Sequence, residues 1–147
     1  MRKTIILPLL FIASVLAALP ARAEDKNVLF VFTFHQLGDK FVGNFNVDGI
    51  LSESGDAESG LTVVDGIATA DKIIRMRGGN IYMTVTGPFN VNPPYVTVNG
   101  QWTLTGGTGI YAGITGRGDA VIFGDLRDVV KFSGAYQGRV KLLHGAE

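Results

Sequence analysis

The chain of 147 residues carries 13 Lys+Arg against 13 Asp+Glu, has no cysteine, and is 46% hydrophobic. That balance offers no basic face to neutralise phosphates, so no nucleic-acid partner is expected. The missing thiols exclude disulfides, thiolate metal sites and a cysteine nucleophile, and the length suits one domain held by its core alone.

Residues 1–23 read as a secretory signal. Arg2 and Lys3 form a charged start, "TIILPLLFIASVLAALP" an apolar core, and Ala21-Arg22-Ala23 the small residues a signal peptidase needs. A retained membrane anchor is the alternative; cleavage after Ala23 is the expectation, with no stable membrane insertion afterwards. Residues 24–147 then form a single domain, secreted or periplasmic. Losing Arg2, Lys3 and Arg22 leaves a net charge of −3 on that domain.

In chain order, strand signals dominate. "NVLFVFTFHQ" (27–36) sets Phe30, Phe32 and Phe34 on one face and Leu29, Val31 and Thr33 on the other, which predicts a strand covered on both sides. "KFVGNFNVDG" (40–49) alternates Phe41, Phe45 and Val47 with Asn44, Asn46 and Asp48. Leu37-Gly38-Asp39 reads as the hairpin turn between them. "LSESGDAESG" (51–60) reads as a polar loop; its Glu53, Asp56 and Glu58 lack the spacing of a calcium loop, so no metal is assigned. "LTVVDGIATA" and "KIIRM" follow, and "RGGN" (77–80) turns the chain into "IYMTVTG" (81–87). "FNVNPP" (89–94) reads as a connection outside any sheet, because its prolines lack donors. "YVTVNGQWTLT" (95–105) places Val96, Val98, Trp102 and Leu104 on one side.

After a glycine-rich stretch come "DAVIFG" (119–124), the turn "DLRD" (125–128) and a last strand over 129–143. That strand sets Val130, Phe132, Tyr136, Val140 and Leu142 on one face with Gly134 and Gly138. Seven or eight strands with short turns and no crossover helix predict an all-β protein, a small eight-stranded antiparallel β-barrel, with a sandwich as the competing architecture. Glycines within the strands (Gly43, Gly66, Gly100, Gly134 and Gly138) suit the bends of a small barrel.

The stretch "GGTGIYAGITGRG" (106–118) lacks the Gly-Lys-Ser/Thr of a phosphate loop and leads into a strand rather than a helix. It reads as a structural glycine corner built on Gly106, Gly107, Gly109 and Gly116, with Tyr111 packing to fix it. Together with the following strand, turn and strand, Gly106, Gly107, Thr108, Gly109, Tyr111 and Gly116 resemble the glycine segment of the dirigent and allene oxide cyclase barrel superfamily. Phe34-His35-Gln36 resembles the Phe-His-Asp that ends the first strand of dirigent proteins. The resemblance is to exported bacterial proteins carrying this barrel. It implies an eight-stranded barrel with a central apolar cavity, commonly a homotrimer, and chemistry by orienting a reactive substrate without a cofactor. Gln36 stands where dirigent proteins have a candidate acid or base, and the cyclase's cysteine has no counterpart.

Five side chains are the candidates for ligand contact. His35 offers a near-neutral acid or base at a strand end. Arg75 and Arg77, two apart on one strand face, could grip a carboxylate or phenolate. Tyr82 and Tyr95 could line a cavity with amphipathic rings, as could Tyr111 and Trp102. No catalytic residue is assigned, and His144 is given no role. The function expected is an exported barrel that binds a small apolar molecule without turnover. The alternatives are an isomerase or cyclase orienting a reactive lipid or phenolic substrate, and a structural or interaction protein of the cell envelope. Cavity size divides them: a barrel plugged by Phe30, Phe32, Phe34 and Phe45 leaves no room, whereas an open pocket reached by Arg75, Tyr82 or His35 favours binding.

Overall fold

A computed structural model describes residues 23–49 and 52–143. The expected signal segment and His144 lie outside the described residues, apart from Ala23. Nine strands follow in order: β1 (Ala23–Leu37), β2 (Lys40–Asp48), β3 (Glu53–Ser59), β4 (Thr62–Val64), β5 (Ile67–Met76), β6 (Gly79–Asn92), β7 (Tyr95–Gly107), β8 (Thr115–Asp125) and β9 (Lys131–Leu143). Neighbours pair antiparallel in the order β3-β2-β1-β9-β8-β7-β6-β5-β4, and β3 also pairs with β5. That last ladder (Ala57 opposite Ile74, Ser59 opposite Lys72) closes eight strands into a barrel, with β4 a short hairpin on β5. Closure leaves those eight strands without a free edge over their paired lengths.

β3 corrects the sequence reading, which takes 51–60 as a loop. Its inward positions are Gly55, Ala57 and Ser59, with Ala57 and Ser59 buried. Small side chains are required there because bulky neighbours already fill the space: a Cβ on Gly55 would stand 3.1 Å from the Phe45 ring. A strand whose inward residues are glycine, alanine and serine carries almost no hydrophobic alternation, so periodicity cannot detect it. Its outward Glu58 bridges two neighbours, 3.2 Å from Lys40 Nζ and 3.1 Å from Arg75.

Two further expectations change. β6 continues through "FNVN", with Phe89 opposite Val98 and Asn92 opposite Tyr95, so only Pro93-Pro94 make the connection. The prolines fall at the hairpin tip, where no ladder donor is needed. β1 is not covered on both sides: Phe30, Phe32 and Phe34 are buried while Leu29 and Val31 are exposed. Gly66 lies in the Asp65-Gly66 turn between β4 and β5, where both residues have positive φ.

The core lies inside the barrel and is divided along its length. Phe30, Phe32 and Phe34 stack along β1 with ring centroids 5.9 and 5.5 Å apart. Trp102 meets Phe30 edge-on at 5.8 Å and donates from Nε1 to the Gln137 carbonyl at 3.3 Å. Phe30, Phe32 and Trp102, with Phe45, Ile74 and Ile81, are all fully buried and fill one half of the barrel.

That filled end is capped by the glycine corner. A single 3-10 turn, Gly109–Tyr111, links β7 to β8 and folds against the β5–β6 hairpin. Ile110 N donates to the Gly78 carbonyl at 3.0 Å, and Asn80 N donates to Thr108 Oγ1 at 2.9 Å. A Cβ on Gly107 would overlap the Tyr111 carbonyl, and one on Gly116 would meet Val140 Cγ1 at 2.7 Å. Tyr111 is buried beneath the turn.

Candidate functional site

The other half of the barrel is not filled. Between Phe34 on β1, Val85 on β6, Ile122 on β8 and Tyr136 on β9 lies a cavity of about 40 Å³. That is room for a few water-sized groups. Phe41, Leu61, Phe89 and Phe132 stand half-buried at its rim, where the β1–β2, β6–β7 and β8–β9 connections end. Phe41 and Phe132 pack edge-on at 5.1 Å.

One charged residue enters this apolar space. β5 alternates Ala68, Ala70, Lys72, Ile74 and Met76 inward, and all five are buried, Lys72 at 5% exposure. The alanines leave the volume that the lysine chain occupies. Its Nζ donates to Ser59 Oγ at 3.0 Å, and the Ser59 hydroxyl donates to the Gly60 carbonyl, also at 3.0 Å. Three ring faces surround the nitrogen: Phe34 at 4.7 Å, Tyr136 at 5.6 Å and Phe32 at 5.8 Å.

No carboxylate among the described residues forms an ion pair with Nζ. Burial therefore penalises the ammonium and pushes this amine down to about 7, with Asp71 pulling upward from the other face of β5. The rings favour the charged form as well, through their quadrupoles. Tyr136, the other titratable residue on the cavity wall, has its phenol pushed up by burial. A buried amine that titrates near neutrality can donate a hydrogen bond, pair with an anion or act as a nucleophile.

The five candidates named from the sequence lie on the outer wall. His35 is exposed on β1, level with Val42 and Lys131. Arg75 is tied to Glu58, whose carboxyl is held below its usual range by hydrogen bonds from Arg75 and then Lys40. Arg77 is exposed at the β5–β6 turn, and its backbone N–H donates to Glu53 Oε1 at 2.6 Å. Tyr82 borders an outer groove with Glu58 and Asp71. Tyr95 lies between Phe123, 5.2 Å away, and the Arg127 guanidinium over its ring at 5.2 Å. They do not converge, and none lines the cavity. The four on strands have outward parity: Arg75 alternates with inward Ile74 and Met76, and Tyr82 with inward Ile81 and Met83.

Lys72, Ser59 and Tyr136 were the residues to look for. The signal was present in "ATADKIIRM", where strict alternation carries the lysine onto the same face as Ala68, Ala70, Ile74 and Met76. A scan against protein-family models and searches of curated proteins and solved structures found no match to this chain.

Proposed function

We propose that this protein is an exported, dirigent-like barrel that binds a small apolar molecule, head first, in the half-filled end of its barrel and without turnover. One observation carries the reading: a half-open apolar cavity with one buried amine on its wall among the described residues. The cavity of about 40 Å³ limits what enters to a polar head and its first carbons. The body of the ligand then lies against Phe41, Phe89 and Phe132 at the rim. The closed eight-stranded barrel and its glycine corner support the superfamily resemblance. Export rests on the first 23 residues alone.

Benzyl alcohol provides the test. Titrated into labelled protein, it should shift the amide signals of Phe34, Lys72 and Phe132 together, with a Kd of about 0.1–10 mM for so small a ligand. Ala70→Leu, which fills the cavity, should weaken this by at least about tenfold. Shifts confined to the outer wall, or none at millimolar concentration, would overturn the reading.

The outer wall supports self-association, the homotrimer of the resemblance. Val31, Ala135 and Val121 lie side by side across β1, β9 and β8, with Leu29 and Phe123 in adjacent rows. Val121 is 62% and Phe123 49% exposed. Exposed apolar side chains that adjoin across three paired strands mark a candidate contact surface. Native mass spectrometry should find an oligomer, and Val121→Lys with Phe123→Lys should reduce it to monomer. A monomeric parent protein at micromolar concentration would count against self-association.

A further inference from the structure

We propose that Lys72 Nζ captures small apolar aldehydes and ketones as an imine inside the cavity, an assignment that rests on the cavity-binding reading above. Geometry supplies the nucleophile: a primary amine at the floor of an apolar cavity, with Ser59 Oγ 3.0 Å away to hold the nitrogen in place. No carboxylate ion-pairs with it among the described residues, so no salt bridge keeps it protonated. The groups facing Nζ are the Tyr136 ring and the Phe32 and Phe34 faces; Asp71 points outward and accepts from Thr84 Oγ1 at 2.6 Å.

Two ligand heads could answer a buried amine. A carboxylate would bring a second charge into the cavity, and its desolvation can exceed the attraction it gains. A carbonyl avoids this, because the product is neutral and removes the buried charge. The amine, pushed down to about 7 by burial, is substantially unprotonated at neutral pH and ready to attack.

The step balances without a further reagent. The Nζ lone pair bonds to the carbonyl carbon, and one N–H proton passes to the oxygen to give a carbinolamine. The second N–H proton leaves with that hydroxyl as water, and the C=N bond forms. Nothing is oxidised or reduced, and hydrolysis reverses the capture. The carbonyl substituents then take the place of the ligand body at the Phe41, Phe89 and Phe132 rim.

Benzaldehyde with cyanoborohydride tests this near neutral pH, since reduction fixes an imine as a benzylamine. Peptide mass mapping should find the benzyl group on Lys72 about tenfold or more ahead of Lys40, Lys131 and Lys141 on the outer wall. Lys72→Arg, which keeps a cation but cannot form the imine, and Lys72→Met should both lose the preferred label. The unsubstituted protein decides the matter even if a variant fails to fold. Label spread evenly over the outer lysines, with Lys72 no faster, overturns the proposal. If benzyl alcohol still shifts the cavity signals in that case, imine capture fails and the binding reading stands; if it does not, both fail.

Discussion

Lys72→Met should stabilise the protein by about 2–5 kcal/mol at neutral pH and remove a pH dependence that the parent shows. In the unfolded chain the amine titrates near ~10.4, whereas in the barrel burial holds it at about 7. Between these values the unfolded state binds the proton more tightly. The penalty is therefore complete below about pH 7 and is relieved as pH rises toward about 10. The parent should gain up to ~1.4 kcal/mol of stability per pH unit across that window. The Tyr136 phenol, pushed up by burial, works in the opposite direction only above about pH 10. Methionine has similar volume and no charge, and Ser59 keeps its hydrogen bond to the Gly60 carbonyl. Denaturant unfolding from pH 7 to 10 checks this: a rising curve for the parent and a flat one for the variant are expected. A flat parent curve would mean that the amine is hydrated in the folded state.

Gly109→Ala should cost about 3 kcal/mol or more, and Gly38→Ala about 1 kcal/mol. The two glycines have nearly the same backbone, φ +60° and +65°. Both substitutions therefore carry the same left-handed penalty, and their difference isolates packing. Gly38 projects into open space at the β1–β2 turn. A Cβ on Gly109 overlaps the Gly78 carbonyl oxygen, the acceptor of the Ile110 N–H. Making room means breaking the hydrogen bond that holds the corner to the β5–β6 hairpin. Thermal unfolding should place Gly109→Ala several degrees below Gly38→Ala. Benzyl alcohol binding should be unchanged in folded Gly109→Ala, because the corner caps the end opposite the cavity. Equal melting temperatures would show that the corner moves aside freely.

Strands with one apolar face were legible in the sequence. The inward faces of β2, β7 and β9 alternate large hydrophobics, and the burial of Phe45, Val98, Trp102, Tyr136 and Val140 follows that alternation. The strand-turn-strand sequel of the glycine stretch was legible too, with no long helix after it for a phosphate to cap. β3 was not legible, because its inward Gly55, Ala57 and Ser59 were selected by the bulk of Phe45 and its neighbours. A residue chosen to leave space for a distant partner carries no local pattern of its own.

The candidate site divides in the same way. His35, Arg75, Arg77, Tyr82 and Tyr95 are conspicuous by their chemistry, yet strand parity places four of them outside and Arg77 falls in the β5–β6 turn. Lys72 is inconspicuous by its chemistry, although it shares a face with Ala68, Ala70, Ile74 and Met76. Alternation by itself determined that the protein is antiparallel β and which side chains share a face. Only the closed barrel decided that the face bearing Lys72 turns inward, that Phe30, Phe32 and Phe45 fill one half, and that the other half keeps a cavity. The physical reason is that period-two alternation sorts residues into two faces without saying which is inside. The amine gains its character from burial among rings contributed by β1 and β9, strands distant from it in the chain.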